Sequence, residues 1–532
     1  MDRPLSAGDS PTAAPAWPGA RQSVPAAVLD LATWLRRVAA RYPKRPAISF
    51  GASTWTYATL QDKVERMACV LAQGGVGRGD RAAYLGLNDP HMLVTLFACA
   101  RLGAVLVPLN YRLSAPELAF IVRDSSPHTL VADAEHRPAI ESVRGELPVR
   151  RYIALGADAA PGWESLASAE SACAATSPAP QPALGQDDVA LIMYTSGTTG
   201  KPKGAMLTHG NFWSNNINAQ HALGLCNTDV VLNYSPLFHV GGLCGVTLPS
   251  LQAGGHVVLQ QRWDAGAVLD AIARHRVTVS TAVPSMLLFL SQHAGFEAAD
   301  LSSLRSLSVG GSPMPEPVLA LYESRGIPVI QGFGMTETTS TVSLLTADRA
   351  RDKLGSSGTG VLLCEIRLAD VDGRTITAPN VKGELCARGG NVMLGYWQRP
   401  DATAAAFDGE GWFHTGDIAY MDAEGFLYVC DRLKDMVISG GENVYPAEVE
   451  SVLFQHPAIA EAAVIGAPDE QWGERVVAVV SLKPGAELTL EALRAFARTQ
   501  LAGYKIPREL RIVDALPRTS TGKVQKTALR QA

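Results

Sequence analysis

Apolar positions along this chain switch back and forth between a helical and a strand-like period. Leu31, Trp34, Leu35 and Val38 recur at three- and four-residue intervals, which predicts a helix over 29–42 that Pro43 and Pro46 stop. Residues 47–50 and 53–57 read as two strands about a Gly51 turn. An amphipathic helix over 60–73 follows, closed by Gly74-Gly75, and then a short strand over 81–87. The most membrane-like run, 92–109, is broken by Arg101 and Gly103 and ended by Pro108. A spanning helix needs about 20 apolar residues. The run therefore reads as a buried helix over 90–102, a Gly103 break and a strand over 104–107. The alternation continues, for example with a helix at 265–275 and a strand at 277–282. It predicts an α/β protein with parallel sheets covered by helices. Residues 157–186 are rich in Pro, Ala and Ser with little periodicity and read as a surface connection. No repeat of solenoid period is found. Near 431–435 the chain restarts as a compact α+β piece, with a helix at 447–454, strands at 460–466 and 475–482, and a helix at 490–501. The expected division is a disordered lead-in (1–25), a large N-terminal domain (26–433) and a small C-terminal domain (434–532).

Composition narrows the function. The chain has 532 residues, 47% hydrophobic and 18% charged, which is ample material for several cores and excludes global disorder. Lys and Arg total 46 against 51 Asp and Glu, a net charge of −5, so there is no basic field for a nucleic acid. Cys69, Cys99, Cys173, Cys226, Cys244, Cys364, Cys386 and Cys430 are widely spaced with no CxxC pair. They suggest neither a disulfide framework nor a zinc site, and as small core residues they suit a reducing cytoplasm. The first 25 residues hold five Pro and no apolar signal core. No integral membrane segment is expected, and the oligomeric state is not readable.

The most informative segment is Tyr194-Thr195-Ser196-Gly197-Thr198-Thr199-Gly200-Lys201-Pro202-Lys203-Gly204, which follows the apolar strand 189–193. Glycines let successive N–H groups turn inward as an anion nest, hydroxyls add donors and lysines neutralise charge. A polyphosphate needs that combination. Only two residues separate Gly197 from Gly200, and Pro202 follows Lys201, so this is not a Walker loop leading into a helix.

The segment resembles the signature of adenylate-forming enzymes: acyl- and aryl-CoA synthetases, luciferases and the adenylation domains of peptide synthetases. The resemblance runs from about residue 29 to 529. Gln331-Gly332-Phe333-Gly334-Met335-Thr336-Glu337-Thr338 is similar to the second nucleotide motif. It implies that Gly332 and Gly334 admit the nucleotide closely, Phe333 lies against adenine, Thr336 touches the α-phosphate and Glu337 holds Mg2+. In Gly411-Trp412-Phe413-His414-Thr415-Gly416-Asp417, Asp417 would accept from the ribose hydroxyls, and Arg432 would reach ribose or phosphate. Lys434 matches the hinge about which the small domain rotates. Gly440 and Gly441, in Ser439-Gly440-Gly441-Glu442, would let the pantetheine arm of CoA pass. Pro517-Arg518-Thr519-Ser520-Thr521-Gly522-Lys523 resembles the adenylation motif, which assigns Lys523 as its lysine. Tyr234-Ser235-Pro236-Leu237-Phe238-His239-Val240-Gly241-Gly242 is similar to the acyl-pocket motif, with His239 beside the reacting carboxylate. Val240, Gly241, Gly242, Ser308, Gly310, Gly311, Gly334 and Met335 would line the acid pocket.

The resemblance implies ATP, Mg2+ and coenzyme A acting on a small carboxylic acid. The carboxylate would attack the α-phosphate to give an acyl-adenylate and pyrophosphate, and the thiol of CoA would then displace AMP. Relatives that activate amino acids carry a pocket Asp that pairs with the substrate ammonium; the Phe238-His239 region has no Asp at the matching place, and the resemblance therefore disfavours amino acids. The overall pattern leans to a medium- or long-chain fatty acid. An aryl acid of feruloyl or coumaroyl type, or transfer to a carrier protein, are the alternatives. A catalytically silent nucleotide binder is disfavoured by the joint presence of Glu337, Asp417, Arg432 and Lys523.

Overall fold

The computed structural model describes residues 30–156, 161–173, 181–195, 202–311, 314, 316–432, 435–439, 442–469, 472–518 and 524–531. It is a mixed α/β structure with two large sheets, a four-stranded sheet and a separate C-terminal sheet.

Six parallel strands form the middle of a nine-stranded sheet, in the spatial order Val329–Phe333, Ser306–Val309, Val279–Ala282, Val230–Asn233, His256–Leu259 and Pro46–Phe50. Short antiparallel strands close both edges. The second sheet has eight strands, in the order Gly395–Tyr396, Lys203–Thr208, Val189–Thr195, Val105–Leu109, Arg81–Leu85, Thr129–Ala132, Arg151–Ala154 and Glu164–Ser165. Its first two strands are antiparallel additions to a parallel array.

Side-chain alternation explains why these strands read as continuous apolar runs. Ala82 and Tyr84 enter one core while Ala83 and Leu85 enter another on the opposite face. The central core joins both sheets through Leu31–Arg41, Tyr57–Gln73 and Pro90–Leu102. A second core lies under Ala115–Ser125, and a third under Ala265–His275, Pro284–Gln292 and Glu316–Ser324. Helices thus cover both large sheets, and Pro90–Leu102 is buried along nearly its whole length.

Several boundaries differ from those expected. Helix Tyr57–Gln73 starts earlier than residue 60 because Thr56 caps it, accepting from the Thr59 N–H. Pro108 stays inside strand Val105–Leu109, at an end where pairing to Val189–Thr195 is confined to Leu106 and Leu191. The stretch 157–186 is more than a surface connection. It contains helix Leu166–Cys173, which packs Leu166, Ala169 and Cys173 inward against helix Tyr57–Gln73. Cys226 is exposed rather than a core residue.

The four-stranded antiparallel sheet runs Cys364–Ala369, Gly383–Gly389, Phe413–Met421 and Leu427–Arg432. Beyond it, Val437–Ser439, Glu442–Val444, Ile459–Asp469, Gly473–Leu482 and Glu509–Ile512 form the C-terminal sheet, which has cores of its own. Among the described residues, no helix is long and apolar enough to cross a membrane.

Candidate active site

Open parallel sheets bind ligands in the crevice beyond the carboxyl ends of their strands. The level register Ala282↔Val309 and Val309↔Gln331 brings three such ends side by side, next to the end of Val230–Asn233. The loops leaving these ends carry His239, Gly310, Gly311, Gly334 and Met335, with Gly332 and Phe333 as the last strand residues. The Gly241 N–H donates to His239 Nδ1 at 3.1 Å, so neutral His239 carries its proton on Nε2. Tyr111, beyond strand Val105–Leu109, meets Phe238 edge to face at 5.2 Å, joining loops from both large sheets.

The pocket candidates divide on inspection. Among the described residues, a Cβ at Gly310 would meet only the Gly332 carbonyl, at an ordinary contact distance of 3.5 Å. At Gly242 it would strike the Pro236 carbonyl at 2.3 Å, inside the π-helical turn Gly241–Thr247. Val240 points into the central core. The structure therefore places Gly242 and Val240 behind the loop that carries His239.

The phosphate-loop candidate joins two antiparallel strands, with Thr195 paired to Lys203. A strand, not a helix, follows the loop, as Pro202 implies. Gly204 must be glycine, because a Cβ there would lie 2.6 Å from Ile192 and 3.1 Å from the Tyr194 ring. Ser196, Gly197, Thr198, Thr199 and Gly200 lie outside the described residues.

Thr336 and Glu337 are buried in the one-turn helix Thr336–Thr338. Tyr396 donates its hydroxyl to Glu337 Oε1 at 3.0 Å, and Thr195 Oγ1 approaches the same oxygen at 3.5 Å. Burial, then the charge and hydrogen bond of Glu337, push the Tyr396 phenol far above its ordinary range, so it remains a donor. The Lys203 ammonium lies 5.2 Å from the Tyr396 ring centroid. The next turn is strained: Thr339 and Ser340 adopt φ of 52° and 96° without being glycine. Asn391 clamps it by donating to the Thr338 and Thr341 carbonyls and accepting from Thr339 Oγ1. Gly334 lies beneath, where a Cβ would fall 1.4 Å from the Ser340 carbonyl oxygen. The Glu337 carboxylate and the Thr195 and Tyr396 hydroxyls make an all-oxygen donor set, which fits a hard cation such as Mg2+.

Asp417 and Arg432 are cross-strand partners, with Arg432 Nε 3.1 Å from Asp417 Oδ1. Asp417 is buried and Arg432 is more exposed. Beside them Glu384 accepts from the Gly416 N–H at 3.1 Å and is 2.8 Å from His414 Nδ1. Cys386, whose thiol burial pushes up to about 11, lies 3.7 Å from the same His414 nitrogen. Sequence spacing gave no hint of this Glu–Cys–His group. Both Glu384 oxygens are engaged, so the group acts as a strut under Gly416.

Lys434, Gly440, Gly441 and Lys523 lie outside the described residues. Among the described residues before the proposed hinge, Asp431 accepts from the Ala447 N–H at 2.7 Å, and burial raises its carboxyl. Lys382 lies over the Tyr445 ring, 3.7 Å from its centroid. Tyr396, Asn391 and Asp431 had no assigned role in the sequence reading. Tyr396 sits in a Gly-Tyr-Trp triplet whose only local signal is its aromatic pair.

A family model described as AMP-binding enzyme matches residues 35–397, and its C-terminal domain model matches 448–523. The chain is 43% identical over 501 residues to a feruloyl-CoA synthase from an Amycolatopsis species, covering 94% of this chain and 98% of the relative. It is 38% identical over 478 residues to a long-chain-fatty-acid–CoA ligase of Mycobacterium tuberculosis, covering 90% and 92%. The solved o-succinylbenzoate CoA synthetase of Bacillus subtilis, in complex with its acyl-adenylate intermediate, superposes with a TM-score of 0.84 at 38% identity, covering 94% and 98%.

Proposed function

The chain belongs to the AMP-binding enzyme family and is an AMP-forming acid–CoA ligase; we propose that its acid is an aryl acid of feruloyl or coumaroyl type. The observation that carries this choice is the 43% identity over 501 residues to a feruloyl-CoA synthase, against 38% over 478 to a fatty-acid ligase. The likeness moves the reading from the fatty acid that the sequence pattern alone favoured to its aryl alternative. The Phe238–Tyr111 edge contact and the uncrowded backbone at Gly310 agree with a flat ring entering beside His239.

In the first half-reaction a carboxylate oxygen attacks the α-phosphorus of ATP. The new P–O bond forms as the bridge to the β-phosphate breaks, and pyrophosphate leaves. Thr195 to Gly200 and Lys203 hold the phosphates, Thr336 the α-phosphate, and Asp417 with Arg432 the ribose. Gly332, Phe333 and Gly334 border the base. Glu337, with Thr195 and Tyr396, would hold Mg2+, which supplies neutralisation of phosphate charge. Lys523 donates to the charge that develops during transfer. In the second half-reaction the CoA sulfur bonds to the acyl carbon, the acyl–phosphate oxygen bond breaks and AMP departs. Rotation of 434–532 about Lys434 would withdraw Lys523 and present Gly440 and Gly441 to the pantetheine arm.

The test is a panel of hydroxycinnamic, benzoic and fatty acids with ATP, Mg2+ and CoA, the thioesters being identified by mass. Hydroxycinnamic acids are expected to give the highest kcat/KM. A higher value for a fatty acid overturns the aryl assignment, and a holo-carrier protein outperforming CoA overturns the acceptor.

A further inference from the structure

Strands Val189–Thr195 and Gly395–Tyr396 flank strand Lys203–Thr208, and each sends neighbouring side chains to opposite faces. On one face Thr195 and Tyr396 converge on Glu337. On the other, Tyr194, the neighbour of Thr195, and Arg399, three residues past Tyr396, meet a second carboxylate, Asp124. Tyr194 donates its hydroxyl to Asp124 Oδ2 at 2.6 Å. Arg399 donates to Asp124 Oδ1 at 2.6 Å, and Trp397 Nε1 donates to the Asp124 carbonyl at 3.1 Å. Between them, the Trp397 N–H donates to the Gly204 carbonyl at 2.7 Å, and the Tyr194 ring crosses Gly204. Asp124 therefore ties strand Val189–Thr195 to the segment that follows Gly395–Tyr396, across the root of the phosphate hairpin.

The placement runs against local preference. Asp124 lies in the last turn of helix Ala115–Ser125, where the helix dipole disfavours an anion. Arg81 offsets this by donating to the Ser125 and Ser126 carbonyls, and its guanidinium lies 5.4 Å from the Trp397 ring centroid. Arg399 supplies a second cation. The carboxylate is nearly buried and points at residues 70 and 275 positions away. Nothing in its own helix needs it there.

We propose that Asp124 is a positioning residue for adenylation: by fixing Tyr194 and the Trp397–Arg399 segment from behind, it presents the Thr195 and Tyr396 hydroxyls to Glu337. The inference rests on the placement of the ATP phosphates at Glu337 and Thr195 given above. Partners that orient metal-site ligands typically change affinity or activity about 10–100-fold when removed.

The experiment is acid-dependent pyrophosphate–ATP exchange measured against Mg2+ and ATP for Asp124→Asn, Tyr194→Phe and Glu337→Gln. Asp124→Asn is expected to raise the half-saturating Mg2+ and the KM for ATP by about tenfold. Thioester formation from supplied acyl-adenylate should stay within about twofold. Tyr194→Phe removes one oxygen only, and should shift the same parameters by about threefold. The double variant should show less than the product of the two effects, since both lose one shared hydrogen bond. A folded Asp124→Asn enzyme with wild-type Mg2+ and ATP dependence overturns the proposal, as does equal loss in both half-reactions. If Asp124→Asn does not fold, Tyr194→Phe decides by the same criteria. Wild-type exchange in Glu337→Gln would sink the phosphate placement itself, whereas loss there with no change in Asp124→Asn sinks only the Asp124 role.

Discussion

The two walls of the site are built in opposite styles. The wall from the nine-stranded sheet is made of loop backbone at strand ends, with glycines at 310, 311 and 334, and its turn at 338–341 is held from behind by Asn391. The wall from the eight-stranded sheet is cross-linked by side chains: Thr195 and Tyr396 reach across to Glu337 of the first wall on one face, and Tyr194 and Arg399 meet Asp124 on the other. Under the proposed function, the contrast follows from what each wall would recognise. An acid differs from enzyme to enzyme, and a bare wall is altered by one methyl group. A triphosphate is invariant, and charge is stabilised best by donors that do not reorganise.

The sharpest way to break this comparison is Lys523→Ala. Adenylation should fall by about 10²–10³-fold, while thioester formation from supplied adenylate changes little. Equal losses in single-turnover assays of the two half-reactions would show that Lys523 does not serve the phosphate wall. Next, Gly334→Ala should destabilise the protein by about 3 kcal/mol, because its methyl would overlap the Ser340 carbonyl. Thermal unfolding checks this, and a wild-type midpoint would mean that the 339–340 turn yields. Tyr396→Phe should cost adenylation about tenfold with the acid preference unchanged. A changed preference in the acid panel would blur the two walls. Gly310→Ala should leave stability and the KM for ATP near wild type, since among the described residues a single ordinary contact awaits its methyl. It should lower kcat/KM for a bulky aryl acid by about tenfold relative to a smaller acid.

The smallest effect concerns stability and acidity. Burial, with the neighbouring His275 second, lowers His256 in strand His256–Leu259 from 6.5 to about 4. Between those values the unfolded chain binds a proton that the folded chain refuses. This contribution is complete above pH 6.5 and is lost as the pH falls towards 4. Thermal midpoints should drop by roughly 1–3 °C across that window, and less so in His256→Gln.

Local signals made much of the fold legible. Helices Pro90–Leu102 and Ala265–His275 match the sequence reading residue for residue, because Asp89 and Asp264 cap their starts and Gly103 in the left-handed region ends the first. Helix Leu166–Cys173 was hidden because its inward stripe is a single Leu with Ala and Cys in an Ala/Ser background. Pro108 misled because its effect on a strand depends on which neighbour needs its N–H. Thr336, Glu337, Asp417 and Arg432 could be singled out as candidates because they sit in contiguous motifs, and the structure pairs Asp417 with Arg432 and Glu337 with Thr195. Tyr396, Asn391 and Asp124 were not, because each acts on a segment more than 50 residues distant.

The two glycines at 310 and 334 come from neighbouring strand ends, yet among the described residues a methyl would meet one ordinary contact at the first and has no room at the second. Given the proposed acid pocket, a duplicated gene for this chain could explore new acids by single changes at 310 while its descendants keep the power to cleave ATP. At 334 the same mutation would cost stability, because its methyl would overlap the Ser340 carbonyl. Diversification of this scaffold is thereby channelled through a few permissive backbone positions, with the energy-coupling half of the enzyme inherited intact.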